Sequence, residues 1–350
     1  MDDYARIDWR QLQDLTRDIF IGLGMSAGDA AIEAEVLVWA NLRGVDSHGV
    51  QRVEEYAERI DKGGMDPRAQ VEIVKETPAI VLVDAHRAMG PVVTTMAMEK
   101  VIDKARTVGV GWGLIRNNTH QGAMGYYAEM AARAGLAGMA VVCSPPNMAP
   151  PGARAAGTHN SPIAMAVPGR HKGPISLDMA TSVAAGGKLQ VAIDKGVPLG
   201  DDWALDKDGK PTTDPQAAAF LRPIAGYKGY GLALMFECFA SLMAGNPLIL
   251  PALRDEPDAR SGGQNSFLAA IDIATFTDLD QFKEHVDELI EAMNNLPTVA
   301  GAPPVQVPGQ PDAQVLAERT RDGIPLPPGT VAKLQRAATR LGLDLPAALA

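Results

Sequence analysis

Three side chains that can bind an anion or handle a proton recur at steps of four residues: His48, Arg52 and Tyr56. Residues four apart are neighbours on an α-helix, and Asp46 and Ser47 are good N-cap residues. The spacing therefore predicts a helix starting near Asp46 that turns a titratable imidazole, a fixed cation and a phenol to one side. The competing reading is a structural histidine at a helix start with Arg52 solvated. The spacing alone does not separate the two.

The chain offers five further histidines. His120 closes Asn117-Asn118-Thr119-His120 directly after an apolar stretch that reads as a buried strand, and the carboxyl ends of strands are favoured ligand positions in α/β sheets. A hydrogen-bonded turn histidine is its alternative reading. His86 and His171 lie in polar turns, His285 sits among charges on a helix, and His159 belongs to a long loop. Asp178 ends the apolar strand before Met179-Ala180-Thr181-Ser182. It is placed either to orient an imidazole or ligand group or to cap a turn. Lys228 precedes a helix N-terminus, where a cation opposes the dipole, and this points to an anionic or ribose-bearing ligand nearby.

Several common chemistries have no motif here. Gly109-Val110-Gly111-Trp112-Gly113 and Gly226 to Gly231 do not have the G-x-G-x-x-G spacing of a Rossmann dinucleotide site, and there is no P-loop. A G-x-S-x-G elbow and an HExxH pair are also absent. Cys143 and Cys238 belong to no CxxC or Cys/His cluster, so no metal site is expected.

The elements that must position these residues fall into three stretches. Asp8 caps a helix from Trp9 to about Gly22, with Leu12, Leu15, Ile19 and Phe20 on one face. Ser26 to Asp29 form a capping box for a second helix, Ala30 to Arg43, and the helix carrying Arg52 ends near Lys62-Gly63-Gly64. From Val71 the pattern changes to strands (71–74, 79–83, 108–115, 137–143, 163–167, 175–177) alternating with helices (90–105, 123–134, 184–195), an α/β pattern. Ser144 to Ser161 is a loop long enough to suggest function, and Asp202 to Pro215 is polar and turn-rich. An apolar helix, Leu232 to Met243, follows. Phe267 to Ile273 reads as a strand, and Asp278 to Met293 as a helix facing Phe282, Val286, Leu289 and Ile290 inward. Gln314 to Arg321 and Pro328 to Arg340 have helical patterns.

The 350 residues, 46% of them hydrophobic, suffice for two domains or one elaborated α/β domain. A net charge of -10 without a basic block argues against nucleic acid and anionic membrane surfaces. No apolar run is long enough for a transmembrane helix. The acidic start, Met1 to Tyr4, lacks a signal-peptide core, and two isolated cysteines fit a reducing cytoplasm.

Taken in order, several short segments resemble one family. They are Asp46-Ser47-His48-Gly49, Asn118-Thr119-His120-Gln121-Gly122-Ala123, Asp178 to Ser182, Trp203 to Pro215, Tyr227-Lys228-Gly229-Tyr230-Gly231-Leu232 and Pro308-Gly309-Gln310. The chain is similar to the malate/L-lactate dehydrogenase family of non-Rossmann type, whose members include ureidoglycolate and sulfolactate dehydrogenases, diketogulonate reductase and cyclic imino acid reductases. By local wording it is most similar to the ureidoglycolate enzyme. The resemblance implies a non-Rossmann nicotinamide-binding α/β domain beside a separate, mainly helical domain built from the N- and C-terminal segments. On that basis residues 1–70 are expected in the helical domain, 71–250 in the cofactor domain, and 251–350 packing back on the helical domain.

The same resemblance implies NAD, or NADP, held at Ser144, Asp178, Met179, Ala180, Lys228, Gly309 and Gln310. It implies a substrate carboxylate on Arg52, with Ser47 and Tyr56 on the same wall, a homodimer or higher homo-oligomer, and a catalytic histidine at His48 or His120. Two departures fall near the pocket: Gln121, and Gly157-Thr158-His159-Asn160-Ser161-Pro162 in place of a Gly-Thr-Asn-Pro form. The expected reaction is hydride transfer between the nicotinamide and C2 of a 2-hydroxy/2-oxo acid of malate, lactate or ureidoglycolate type. His120 is expected to exchange the proton near its ordinary pKa, with His48 orienting the oxygen and Asp178 tuning the site. Reduction of cyclic imine-2-carboxylates is the nearer alternative, and a non-catalytic binding module the remoter one.

Overall fold

The computed structural model describes residues 4–350; the acidic start at Met1 to Asp3 lies outside them. A short strand not foreseen in the sequence, β1 (Ala5–Ile7), comes first. The Asp8 carboxylate then accepts the N–H groups of Arg10 and Gln11 and opens α1 (Trp9–Gly22), which buries Leu12, Leu15, Ile19 and Phe20. The Ser26 hydroxyl accepts from the Asp29 amide and donates to its carboxylate, so the capping box opens α2 (Ala27–Leu42) within one residue of the serine. Helix α2 stops at Gly44, whose left-handed φ of 79° lets the Val45 amide return to the Ala40 carbonyl.

No α-helix begins at Asp46. Two 3₁₀ turns, Asp46–His48 and Val50–Arg52, meet at an extended Gly49, and α3 (Val53–Asp61) starts only after Arg52. The cause lies in α2. The Asn41 side chain reaches across to donate to Asp46 at 2.6 Å and to accept the Val50 amide at 2.8 Å. A β-carbon at Gly49 would stand 2.2 Å from the Asn41 Oδ1. The close approach thus requires glycine, and it breaks the helix the spacing predicts.

The α/β part begins with the hairpin β2 (Glu72–Glu76) and β3 (Ile80–Asp84), then α4 (Gly90–Val108), β4 (Val110–Asn118), α5 (Gly125–Arg133), β5 (Ala137–Cys143), β6 (Ile163–Val167) and β7 (Ile175–Met179). Helix α6 (Gly186–Lys195) precedes a small sheet of β8 (Ala204–Leu205), β9 (Pro211–Thr212) and β10 (Phe220–Leu221), formed around the polar, turn-rich stretch. Helix α7 (Tyr227–Phe236) continues as a π-helical segment, Glu237–Leu242, and is followed by α8 (Ile249–Leu253) and β11 (Gln264–Ile271). Lys228 therefore lies in the first turn of α7 rather than ahead of a helix. The remaining elements are α9 (Leu279–Asn294), α10 (Gln310–Asp322), β12 (Ile324–Leu326) and α11 (Pro328–Leu341).

The main sheet has seven strands in the order β2-β3-β4-β11-β5-β6-β7, and only β3 and β4 run parallel. A sheet so largely antiparallel has no Rossmann crevice, which agrees with the missing glycine fingerprint. Helices α4 and α5 bury their apolar faces with Val83, Ile115, Ala140 and Leu268 on one side of it. A second core gathers Ile7, Leu12, Leu37, Val53 and Tyr56 with Ile324, Leu326 and Leu334, and β1 pairs with β12. The N- and C-terminal segments thus build one helical unit.

The expected placement of 251–350 is corrected by the strand order. Strand β11 is the centre of the sheet, and α9 packs Val286 and Ile290 against Val167 and Ile175 of the sheet's far end. Only the later part of that segment returns to the helical unit. Leu289, expected to face inward, is 52% exposed because α9 is covered on one side only.

Candidate active site

His120 follows β4 at the point where the chain turns toward α5. The turn is held from α4: the Thr119 hydroxyl donates to the Ala88 carbonyl at 2.8 Å and accepts the Gly90 amide at 3.0 Å. A β-carbon at Gly90 would meet the His120 carbonyl at 2.2 Å, so helix α4 must begin with glycine to come this close. Within the site, Tyr56 brings its hydroxyl to 2.5 Å from His120 Nδ1, and the Gly122 amide points at the same nitrogen at 3.3 Å. A backbone N–H can only donate, so Nδ1 is the acceptor and the ring proton resides on Nε2.

His48 stacks against His120 with ring centroids 5.4 Å apart, and its Nδ1 is 2.9 Å from the Ser47 hydroxyl. Arg52 donates from Nε to the Ser47 carbonyl at 2.8 Å and from Nη1 to Glu55 at 2.6 Å, leaving Nη2 and the second Nη1 proton for a ligand. His48, Arg52, Tyr56 and His120 do converge, but through two tight turns and a neighbouring strand end rather than one helical stripe. Tyr56 is fully buried and spends its hydroxyl on His120, so it forms the floor behind the histidine rather than a substrate-facing wall.

The imidazoles do not keep ordinary pKa values. Burial pushes His48 down to about 4, and the Arg52 cation adds to the effect. His120 is held well below its usual value, first by burial and then by the charges of Arg52, His48 and Arg59. Both rings are only partly shielded from solvent, so they line a cleft whose walls crowd them. A neutral His120 with its proton on Nε2 is the form at neutral pH.

Asp178 is placed differently from one of its expected roles. One carboxylate oxygen accepts the Gly125 amide at 2.8 Å and caps the start of α5; no histidine is among its hydrogen-bond partners. The packing around it raises its pKa to about 6 although the residue is open to solvent on one side. A β-carbon at Gly125 would lie 3.0 Å from that oxygen, so glycine permits the contact.

Of the other positions matched through the family resemblance, Met179, Ala180, Lys228, Gly309 and Gln310 lie on or beside β7, and Ser144 lies at the end of β5. Gly309, with φ of 90°, lies against Ser176, while the Ser176 amide donates to the Pro308 carbonyl. At the far end of β7, beyond Met179 and Ala180, the first turn of α7 with Lys228 and Gly229 packs on Thr181. Ser144 leaves β5 and donates to the Gly263 carbonyl at 3.4 Å. Gln310 is less free than expected: its side-chain amide is locked to Asn294 and the Val307 amide. Helix α6 begins beside the Asp46–Arg52 turn, where a β-carbon on Gly187 would lie 3.1 Å from Ser47.

Two contributors escaped the sequence reading. Arg59, seven residues past Arg52, bears electrostatically on His120 and lines a cavity of about 430 Å³ with Arg87, Asn118 and Thr119. His159, held by Ser161 at 3.3 Å and pushed by burial to about 3, also acts on His120. The unusual Gly157 to Pro162 wording was its only signal. Gln121, by contrast, is buried and bonded to Thr94 at 2.9 Å, which puts its side chain in the core instead of the pocket.

Residues 7–335 match the sequence model of the family described as malate/L-lactate dehydrogenase. The chain belongs to this family. A malate dehydrogenase from Pyrococcus horikoshii is 33% identical over 357 aligned residues, covering 98% of this chain and 97% of that protein. Ureidoglycolate dehydrogenase (NAD(+)) from Escherichia coli O157:H7 is 35% identical over 306 residues, covering 87% and 88%. The crystal structure of malate dehydrogenase from Entamoeba histolytica matches with a TM-score of 0.94 at 26% identity, covering 98% of this chain and all of that one.

The malate/L-lactate dehydrogenase membership makes the chain an oxidoreductase of 2-hydroxy acids that uses a nicotinamide cofactor. The residues around β7 fit such a group. The Thr181 hydroxyl, next to Ala180, is buried without a hydrogen-bond partner among the described residues, Asp178 is exposed and engages Gly125 through one oxygen, and Gly309 brings bare backbone to the same strand.

Proposed function

We propose that the chain catalyses reversible hydride transfer between NAD and C2 of a small 2-hydroxy/2-oxo carboxylic acid, with Arg52 gripping the carboxylate and His120 serving the C2 oxygen. The observation that carries this is the neutral His120, its proton fixed on Nε2 by two donors at Nδ1, beside a guanidinium with unspent donors.

Arg52 orients the acid through its two terminal nitrogens, and exchange of the exposed Glu55 contact for substrate carboxylate frees the full fork. In reduction the nicotinamide supplies the hydride. The His120 Nε2–H donates a hydrogen bond to the developing alkoxide, strengthened by the Tyr56 hydroxyl at Nδ1, and solvent supplies the proton that completes the alcohol. In oxidation the same N–H holds the alkoxide that forms as the alcohol proton leaves to solvent. His48 presents a second neutral imidazole to the oxygen, with Ser47 fixing its ring. Asp178, Met179, Ala180, Ser144, Lys228, Gly309 and the backbone of Gln310 would hold the cofactor, Asp178 by accepting from it.

NAD is favoured over NADP by the similarity to a ureidoglycolate dehydrogenase that is named for NAD(+). A homodimer is supported by the apolar face of α7 and its π-helical continuation, where Met235, Phe239 and Met243 are 50%, 41% and 56% exposed. No helix of the described residues is long and apolar enough to cross a membrane, and we place the enzyme in the cytoplasm.

The test is a nicotinamide-absorbance screen with NADH and NADPH against 2-oxo acids and cyclic imine carboxylates. The wild type should turn over a 2-oxo acid, and His120→Ala should lose at least a hundredfold in kcat while NADH affinity is retained. Turnover of the imine alone, or an active His120→Ala, refutes the proposal.

A further inference from the structure

We infer that Arg319 is a positioning residue of this active site: from α10 it clamps the turn that carries Ser47 and His48. The inference rests on reading the His48–Arg52–His120 cleft as the active site.

The Asp46–Arg52 turn is weak on its own account. It consists of two 3₁₀ windings, whose hydrogen-bond geometry is poor, joined at an extended glycine. Its only buried side chain short of α3 is Val50. Something outside the turn must hold it, and Arg319 does so across 273 residues of sequence. Its guanidinium forks onto Asp46, Nη1 to Oδ1 at 2.7 Å and Nη2 to Oδ2 at 3.0 Å, and Nη1 also donates to the Asn41 carbonyl at 2.5 Å. The Arg319 side chain is 13% exposed and that of Asp46 38%, so the pair is part-buried, with water reaching it from the carboxylate side. Asn41 closes the network by donating to Asp46 and accepting the Val50 amide.

One arginine therefore fixes both ends of the turn: Asp46 directly, and Val50 through Asn41. Between those ends stand Ser47, whose hydroxyl meets His48 Nδ1 and whose carbonyl receives Arg52 Nε. A lysine cannot reproduce the fork, because it offers a point charge where two parallel donors are needed. At its other end α10 starts beside Ser176 of β7, so the residue steadying the substrate turn sits on the helix that also bounds the cofactor positions.

The test compares wild type with Arg319→Gln, Arg319→Lys and the double variant Arg319→Gln/Asp46→Asn. Hydrogen exchange in the cofactor-free protein should speed up in the peptide spanning 41–53 and stay unchanged in the strands. With the best 2-oxo acid, kcat/KM should fall at least tenfold in Arg319→Gln, since small misplacements of positioning groups are costly. NADH affinity should remain within twofold. Arg319→Lys should recover little, and the double variant should be no worse than Arg319→Gln. Wild-type exchange and kcat/KM in Arg319→Gln overturn the inference. So does a loss that accompanies faster exchange throughout the chain, which marks a general stability role. A wild type inactive on every acid instead overturns the functional reading, a result distinct from an active wild type matched by its variant.

Discussion

Tyr56→Phe removes one O–H from the site and leaves the packing intact. The ring is fully buried, with its centroid 6.4 Å from that of Phe20, so phenylalanine fills the same space. What changes is His120 Nδ1, which keeps only the Gly122 amide at 3.3 Å. A buried acceptor left short of its donor costs about 1–3 kcal/mol. The same deletion lets the ring proton move to Nδ1, where it cannot serve a substrate oxygen. If the penalty falls on the reacting state it lowers kcat by roughly tenfold to a hundredfold, at about 1.4 kcal/mol per decade. Global stability should fall by only about 1 kcal/mol. Steady-state kinetics with NADH and a 2-oxo acid, denaturant melts, and nitrogen NMR of the His120 ring read the three effects separately. A kcat within twofold of wild type, with the proton still on Nε2, would show that the Tyr56 bond does not set the tautomer.

Two further outcomes follow from the site. Arg52→Lys should raise KM for the oxo acid by about tenfold or more, the loss of a bidentate charge-assisted pair, with NADH affinity unchanged; an unaltered KM places the carboxylate elsewhere. Burial holds His48 at about 4 and His159 at about 3, against roughly 6.5 in the unfolded chain. The unfolded chain takes up these protons first, so their contribution to stability is complete above pH ~6.5 and is lost as pH falls toward the folded values. Denaturant midpoints between pH about 7 and about 4.5 should therefore drop less for His159→Gln than for wild type, and equal drops refute the assignment.

Local chemistry made much of the fold legible. The caps at Asp8 and Ser26, the strands Ala137–Cys143 and Ile163–Val167, and the strand-end position of His120 all follow from nearby residues. What escaped depends on distant partners. The predicted helix at Asp46 fails because Asn41 demands a close approach at Gly49. Tyr56 reads as part of a substrate-facing wall until His120 arrives from 64 residues away. Asp178 reads equally as cap or as ligand until Gly125 is beside it. The chemistry of the site was visible in residue types, while its protonation states were not, because burial and neighbouring cations set them.

The middle strand of the main sheet begins at residue 264 of 350. During synthesis, β4 and β5 are made early and yet cannot be completed, since each waits for β11 on its inner edge. The helical unit waits longer still, for β12 and α11. Such long-range pairing is slow to form and leaves strand edges open to wrong partners in the meantime. The nascent chain thus carries a divided sheet until β11 emerges, and the helical core closes only with β12 and α11. A chain ending before Gln264 would lack the strand between β4 and β5 and leave an edge of each unpaired, a template for wrong pairing.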